Sequence, residues 1–296
     1  MAPAPLQWLL CLLMELQATP EPFLDGLDFG EAPRWHEGRL WYSDMFQHAV
    51  KAVRMDGSVE TIVEVPNQPS GLGWLPSGDL LVVSMLDRRV LRFDGSELGL
   101  YADLSSVATS HCNDMVVDQQ GRAYVGNFGF DLHNGEDMVT AAVALVQPDG
   151  TVQVAADELE FPNGAVITAD GATYIVAESF GCRFTAFDIA ANGALSNRRP
   201  WAEVPGMIPD GCCLDAEGGI WFADAVGKAA LRVIHGGEIT HRVETKLNCF
   251  AVMLGGDDRR TLFLMTAPSS SPEETQEFGL AQIETTQVEI PGIGLP

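Results

Sequence analysis

The chain has 296 residues, of which 46% are apolar, and it carries a formal net charge of −24. The length allows one large all-β domain or two ordinary domains, and the apolar fraction is sufficient for a buried core. Because so acidic a chain repels nucleic acid and anionic lipid, the charge excludes both nucleic acid and membrane as partners.

The N-terminal segment and the cysteines bear on localisation. Residues 1–22 contain a short apolar run, Trp8 to Leu13, which is too short to span a bilayer. The first basic residue is Arg34, so the basic region of a signal peptide is missing. The six cysteines form no C-x-x-C pair, which favours free thiols in a reducing compartment. We interpret residues 1–22 as an extension that forms a short helix, and we favour a cytoplasmic location over export.

A turn containing glycine, followed by a run of β-branched and aromatic residues, occurs five times along the chain. The runs are HEGRLWYSD from His36, PSGDLLVVS from Pro76, QQGRAYVGN from Gln119, ADGATYIVA from Ala169 and AEGGIWFAD from Ala216. Glycine supplies the positive φ that a tight hairpin needs, and each run is typical of a buried strand. The turn glycines are 40, 43, 50 and 47 residues apart, which leaves room for four strands per unit.

Four-stranded units of this period are the signature of propeller blades. A sixth, degenerate unit begins near Leu247. The sequence therefore predicts an all-β protein: a six-bladed β-propeller with four antiparallel strands per blade, forming a single domain over residues 23–296. The alternative is a β-sandwich, which needs about seven to nine strands without a fixed period, whereas more than twenty candidate strands are present.

The first strand of each propeller blade lines the central channel, and the residue that opens this strand lies at one mouth. The residues eight positions before a turn glycine are Ser70, Asn113, Asn163 and Asp210. Glu31 stands seven before Gly38, one residue out of this register. We expect four of these side chains to converge on the axis, and we call them the ring residues: Glu31, Asn113, Asn163 and Asp210.

Two carboxylates and two amides, without thiolate or imidazole, are hard oxygen ligands that select Ca²⁺, Mg²⁺ or Mn²⁺. A site with three or four protein ligands also leaves positions open for water and substrate. Taken singly, Asn and Asp beside Gly are ordinary turn residues, so the prediction depends on the shared register. Six residues after a turn glycine stand Asp44, Asn127 and Asp224, which we interpret as a second polar set deeper along the inner strands.

At these residues the sequence resembles the senescence marker protein/gluconolactonase/regucalcin-like family of six-bladed propellers. The matching segments are GEAPRW (30–35), CNDMVVDQQGRAYVGN (112–127), FPNGAV (161–166), residues 195–223 and residues 248–256. The resemblance implies a metal-dependent lactonase or related esterase, with the four ring residues as metal ligands and Asp210 as general base. It implies one divalent cation, Ca²⁺ ahead of Mn²⁺, Mg²⁺ or Zn²⁺, and a small-molecule ester or lactone substrate. We expect a monomer or a weak homo-oligomer.

The sequence departs from this family where substrate is bound. Sugar-lactone hydrolases of the family often carry Arg two residues before the second ligand, and here that residue is His111. Family members place substrate contacts in the loop over residues 127–138, which here contains Asn127, Phe128, Phe130 and His133. We predict these five residues as substrate contacts and expect a less hydroxylated substrate than an aldonolactone. The alternative is that the aromatic residues only pack the loop.

Three other functions compete with a lactonase. A phosphotriesterase or aryl esterase could use the same metal site, and a calcium-binding propeller could have no catalytic activity. A serine hydrolase would use AESFG at 177–181, but its nucleophile elbow requires a following helix. Ser179 is instead followed by RFTAFDI, which is typical of a strand.

Overall fold

The computed structural model describes residues 15–16 and 19–294. The expected N-terminal helix falls on residues 1–22, most of which lie outside the described residues. Two strands precede the first blade: β1 (Glu15–Leu16) and β2 (Glu21–Leu27). Strand β2 begins two residues before the predicted domain boundary at residue 23. None of the residues that the structure describes belongs to a helix with the length and apolar run that a bilayer crossing requires.

Four-stranded antiparallel sheets follow one another along the chain, as the repeat predicts. The first blade comprises β3 (Gly30–His36), β4 (Arg39–Asp44), β5 (Ala49–Val53) and β6 (Val59–Glu64). The second comprises β7 (Pro69–Trp74), β8 (Leu80–Ser84), β9 (Arg89–Phe93) and β10 (Leu98–Asp103). The third comprises β11 (Cys112–Val117), β12 (Ala123–Asn127), β13 (Ala141–Val146) and β14 (Val152–Leu159).

The remaining blades continue this order. The fourth comprises β15 (Pro162–Ile167), β16 (Thr173–Glu178), β17 (Arg183–Ile189) and β18 (Leu195–Glu203). The fifth comprises β19 (Pro209–Leu214), β20 (Ile220–Asp224), β21 (Ala229–Val233) and β22 (Ile239–Glu244), and β1 pairs in parallel with β22. The sixth comprises β23 (Asn248–Gly255), β24 (Thr261–Ala267) and β25 (Ala281–Gln287), with β2 as its outermost strand.

The propeller is closed by pairing between a strand near the start of the chain and the last strand. Strand β2, from the start of the chain, pairs antiparallel with β25, so Glu21 lies opposite Thr285 and Leu27 opposite Ala281. A short helix, α1 (Pro272–Phe278), lies between β24 and β25 in the chain. The prediction of a six-bladed propeller with four antiparallel strands per blade is confirmed.

The hydrophobic core is divided among the interfaces between neighbouring blades. Between blades three and four, for example, Val116 and Tyr124 pack with Tyr174 and Val176, and the two tyrosine rings lie 5.1 Å apart. Aliphatic residues of the inner strands and aromatic residues of the second strands fill this interface from both sides. The packed interfaces hold the inner strands at fixed positions around the axis.

Every inner strand shifts register against the second strand of its blade near the channel mouth. The residues left without a cross-strand partner are Ala32–Pro33, Ser70–Gly71, Asn113–Asp114, Asn163–Gly164, Asp210–Gly211 and Phe250. A β-bulge bends its strand and re-aims the side chain that it carries. Three of the four ring residues lie in such bulges, and Glu31 lies immediately before one.

Glycine follows two of the ring residues because the inner strands approach one another closely there. A Cβ atom at Gly164 would lie 2.5 Å from the carbonyl oxygen of Asp210 and 2.7 Å from the Cys212 nitrogen. A Cβ atom at Gly211 would lie 2.5 Å from the Cβ atom of Ala251 on the next blade. The Asn-Gly and Asp-Gly pairs therefore combine a polar side chain at the channel mouth with the space that a neighbouring blade needs.

We expect Gly164→Ala to destabilise the protein by about 1–3 kcal/mol, because the contacted atoms belong to the backbone and cannot move aside. Denaturant unfolding would measure this loss. Gly99→Ala is the matched control, since Gly99 lies in an outer strand with no atom within 4 Å of the added Cβ. Equal stability of the two variants would contradict the close approach.

Candidate functional site

The four ring residues line one cavity of about 320 Å³ at the mouth of the channel. They enter it from blades one, three, four and five. Asn113 and Asn163 are buried, whereas Glu31 and Asp210 keep partial exposure toward the cavity. Ser70, the equivalent residue of blade two, is buried and does not line the cavity. The arrangement brings two carboxylates and two amides into one enclosed space.

Glu31 occupies the same structural position as the other ring residues despite its different spacing. In blade one, His36 pairs with Arg39, which leaves a two-residue turn, Glu37–Gly38. In blade three, the Asp118 amide bonds the Arg122 carbonyl, which leaves a three-residue loop. The strand pairs show the equivalence. In blade one, Gly30 pairs with Asp44 and Glu31 is the next residue. In blade three, Cys112 pairs with Asn127 and Asn113 is the next residue. Blade one is therefore one residue shorter than blade three in the hairpin, whereas the inner strands of the two blades have the same length up to the hairpin.

The surroundings of the two carboxyl groups of the ring, Glu31 and Asp210, disfavour their ionised form. Burial raises the pKa of Glu31 well above its ordinary value, and the nearby Asp210 carboxylate raises it further. The pKa of Asp210 is also raised, by burial first and then by the Asp114 carboxylate. Among the described residues, no Lys or Arg lines the cavity. The charge of the ring is therefore left for a ligand to compensate.

The donor set of the ring fits a hard divalent cation. Among the described residues, no group of three or more His, Cys, Asp and Glu side chains could hold a metal ion. The ring has only two acidic members, so its capacity for a cation depends on the two amide oxygens. Carboxylate and amide oxygens together are typical ligands of Ca²⁺. The chemistry of these residues thus fits the predicted cation, with Glu31, Asn113, Asn163 and Asp210 as its holders.

The Asn163 amide is oriented by two acceptors, the Ser179 hydroxyl and the Asp210 carboxylate. The Ser179 hydroxyl donates to the Pro209 carbonyl at 2.7 Å, so toward Asn163 it can only accept. Asn163 Nδ2 lies 3.2 Å from Ser179 Oγ and donates to it. In the part of the chain that the structure describes, no group donates to Asn163 Oδ1. The amide oxygen therefore remains available to a ligand.

A buried ion pair lies directly beside the ring residue Asn113. Arg34 Nη2 donates to Asp114 Oδ1 at 2.7 Å and to the Met115 carbonyl at 2.7 Å. Both side chains are almost fully buried, and Asp114 also accepts from the Met115 amide at 2.8 Å. Because one partner alone would leave an uncompensated buried charge, this pair is structural, and breaking it would cost about 3–5 kcal/mol.

The second polar set anchors the chain that leads into the inner strands. Asp44 Oδ1 accepts from the Phe29 amide at 3.2 Å, and Asp224 Oδ1 accepts from the Ile208 amide at 3.1 Å. Asn127 differs, because it accepts from the Gly129 amide at 3.0 Å and donates to the Ala142 carbonyl at 2.6 Å. These side chains are occupied by backbone groups and do not line the cavity.

The second polar set has a further member in the fourth blade, Glu178, which the count from the turn glycine misses. Glu178 pairs with Pro162, as Asn127 pairs with Cys112, and its carboxylate accepts from the Glu160 amide at 2.8 Å. The hairpin over 169–172 has one residue more than the loops of blades two, three and five, so Glu178 stands seven residues after Gly171. Strand pairing identifies this position where the count from the glycine does not.

The predicted substrate contacts fall into three places. Phe128 and His133 line the cavity of the ring residues. His111 and His133 line an adjacent cavity of about 390 Å³. Phe130 is buried behind this wall, where its ring lies 5.9 Å from Phe161, and Asn127 is bound to backbone. Burial lowers the pKa of His111, so its imidazole is neutral at pH 7.

Most of the remaining cavity wall was not identified from sequence. It comprises apolar residues in or next to the inner and second strands, with three polar residues from the sixth blade: Phe29, Met45, Met85, Leu132, Phe161, Phe180, Ile208, Ala225, Val226, Phe250, Asn248, Ser269 and Ser270. A signal was available, because Met45, Met85, Phe128 and Ala225 each stand seven residues after a turn glycine. Phe29, Phe161 and Ile208 likewise stand two residues before a ring residue.

Comparison with known sequences places this site in a family. A sequence model of the SMP-30/Gluconolactonase/LRE-like region matches residues 29–268. The chain is 26% identical over 278 residues to 6-deoxy-6-sulfogluconolactonase from Pseudomonas putida, covering 90% of this chain and 94% of that protein. It is 33% identical over 135 residues to regucalcin from Danio rerio, covering 45% of each chain.

Comparison with solved structures agrees on the architecture. Regucalcin from Agrobacterium tumefaciens, described as a calcium-binding protein, matches with a TM-score of 0.79 at 19% identity. The match covers 96% of this chain and 98% of that protein. At this identity the likeness shows the shared propeller alone. The family match extends over most of the propeller and includes all four ring residues, and the chain belongs to the SMP-30/gluconolactonase/LRE-like family.

Proposed function

We propose that this chain is a divalent-cation-dependent hydrolase that opens lactones, with the four ring residues as the cation ligands. The observation that carries the proposal is their convergence in one cavity that contains two carboxylates and no Lys or Arg side chain among its described residues. The gluconolactonase-like family to which the chain belongs supports lactone hydrolysis in general. The all-oxygen donor set favours Ca²⁺, with Mn²⁺, Mg²⁺ and Zn²⁺ as alternatives.

The chemistry requires an activated water and stabilisation of the charge that develops on the ester. When bound at the ring, a divalent cation supplies a Lewis acid that polarises the ester carbonyl. Asp210 accepts a proton from the attacking water as its oxygen bonds to the carbonyl carbon. The C–O bond within the cyclic ester then breaks, and the leaving oxygen takes up that proton to give a hydroxy acid. Asn113 and Asn163 orient the site through their amide oxygens.

Metal analysis of the purified protein, followed by a lactone panel with and without chelator, tests this function. We expect one equivalent of a divalent cation and hydrolysis that chelator abolishes. Faster turnover of a phosphotriester or an aryl ester than of any lactone would favour those substrates instead. Cation binding without turnover would favour a calcium-binding propeller.

The surroundings of Ser179 do not favour the serine-hydrolase alternative. Ser179 is followed by strand β17, where a nucleophile elbow would require a helix. Its hydroxyl proton is directed to the Pro209 carbonyl. We therefore expect no labelling by a fluorophosphonate.

Ser179→Ala is expected to weaken cation binding about tenfold, because the Asn163 amide loses one of the two acceptors that orient it, the other being the Asp210 carboxylate. Calorimetric titration of the chelator-treated protein with Ca²⁺ would measure the change. Ser43→Ala is a matched control: Ser43 Oγ makes the corresponding bond to the Ser70 carbonyl at 2.6 Å, without contacting a ring amide. Equal loss in both variants would show that the effect comes only from the lost bond between blades.

A further inference from the structure

The wall of the cavity above the ring residues is largely apolar, and five of the residues that line it are phenylalanines. The Phe128 ring stacks on Phe161 with centroids 4.5 Å apart, and Phe180 meets Phe161 edge to face at 5.0 Å. Elsewhere in the lining, the Phe29 and Phe250 rings lie 4.9 Å apart. These rings come from blades one, three, four and six. Such surfaces gain free energy by covering hydrocarbon and offer no hydrogen bonds to hydroxyl groups.

Few side chains are available to bind a polar substituent. Five polar residues line the cavity outside the ring: His133, Ser179, Asn248, Ser269 and Ser270. Ser179 donates to Pro209, Asn248 donates to the Pro268 carbonyl at 3.2 Å, and Ser269 Oγ accepts from the Ser271 amide at 3.0 Å. No Lys or Arg lines either this cavity or the adjacent one among the described residues. A polyhydroxylated lactone would exchange hydrogen bonds with water for contacts with phenyl rings, which is unfavourable.

The entrance continues the apolar surface outward. Leu132, Phe180 and Val226, which follow the second strands of blades three, four and five, line the cavity yet are 36%, 39% and 61% exposed. The adjacent cavity shares Met45, Met85 and His133 with the first and extends toward the start of helix α1. A substituent too long for the first cavity therefore has space beside it, with Phe46 and Leu86 as further apolar contacts among a mixed lining.

We infer that the substrate is a lactone with an uncharged hydrocarbon substituent, alkyl or aryl, and not a sugar lactone; this inference rests on the proposed lactone hydrolysis. The ester lies over the ring residues, and the substituent lies against Phe128, Phe161 and Phe180. An anionic substituent is disfavoured because the described lining of the two cavities contains no Lys or Arg side chain and the net charge of the chain is −24. The lactone in the name of the Pseudomonas relative is therefore expected to be a poor substrate here.

Three probes separate the substrate class from the reaction: γ-butyrolactone, γ-nonalactone and glucono-1,5-lactone, assayed by pH-stat with the cation-loaded protein. We expect kcat/KM to rise about two- to fourfold per added methylene from γ-butyrolactone to γ-nonalactone, as burial of hydrocarbon predicts. Glucono-1,5-lactone should be the slowest after correction for spontaneous hydrolysis. If glucono-1,5-lactone equals or exceeds γ-nonalactone, lactone hydrolysis stands and the substrate class is overturned. If no lactone is hydrolysed, the proposed function itself fails.

A variant of the wall tests where the substituent lies. Phe180→Ser should remove at least half of the chain-length dependence of log kcat/KM, with the folded state checked by Tm. Leu100→Ser is the matched control, since Leu100 is 62% exposed on the outer strand β10 and should retain the full dependence. An unchanged dependence in Phe180→Ser would contradict the placement of the substituent against this wall.

Discussion

Asp210→Asn is expected to lower kcat/KM for lactone hydrolysis by about 10³-fold while the protein stays folded. The substitution keeps the shape of the side chain and removes the group that accepts the proton from water. Because burial and the Asp114 carboxylate already disfavour the ionised form of Asp210, as its raised pKa shows, the cation-free variant should lose no stability at pH 7. Initial rates at saturating cation, with Tm measured in parallel, provide the test.

Two variants separate the role of Asp210 from cation binding alone. Glu31→Gln removes the other carboxylate of the ring and should be rescued in part by raising the cation concentration, whereas Asp210→Asn should not be. Asp257→Asn repeats the same chemical change at an exposed residue after β23, away from the cavity, and should keep full activity. Activity of Asp210→Asn within tenfold of the unmodified protein would rule out a proton-accepting role for this residue.

Removal of the cation is expected to abolish hydrolysis and to lower Tm, because a ligand that binds only the folded state stabilises it. At a cation concentration about 100 times Kd the stabilisation is about 2.7 kcal/mol, or a shift on the order of 5 °C for a domain of this size. Differential scanning calorimetry with and without chelator would measure the shift.

Re-addition of single metals then ranks the candidates. Ca²⁺, Mn²⁺, Mg²⁺ and Zn²⁺ are compared for restored Tm and restored rate, since affinity and activity need not follow the same order. The Asp210→Asn and Glu31→Gln variants should show a smaller Tm response than the unmodified protein. A chelator that changes neither rate nor Tm, with no metal found by elemental analysis, would contradict the cation site.

The ring residues illustrate how far spacing alone can identify a site. Counting eight residues back from a turn glycine locates Asn113, Asn163 and Asp210, because their strands and the first halves of their hairpins have equal lengths. The same count misses Glu31 by one residue, because the blade-one hairpin is one residue shorter. Counting six residues forward from a turn glycine misses Glu178, because the blade-four hairpin is one residue longer. Strand pairing is the reference that holds in all of these blades.

The cavity wall was harder to predict than the ring. Phe128 and His133 were identified because they lie in one loop, whereas Phe161 and Phe180 come from opposite ends of a hairpin in the fourth blade and Phe250 comes from the sixth blade. A phenylalanine within a buried strand and one that faces the cavity look alike in sequence. The bulge and the loop beside each inner strand decide which way the side chain points.

The number of blades, the four strands of each and the polar character of the channel mouth follow from the sequence, because turns and strand patterns are local properties of the chain. The pairing of β2 with β25, the meeting of two carboxylates with two amides and the largely apolar wall around them depend on closure of the ring. Closure brings together residues as far apart in the chain as Glu21 and Thr285, which are 264 positions apart, and no local pattern encodes that distance.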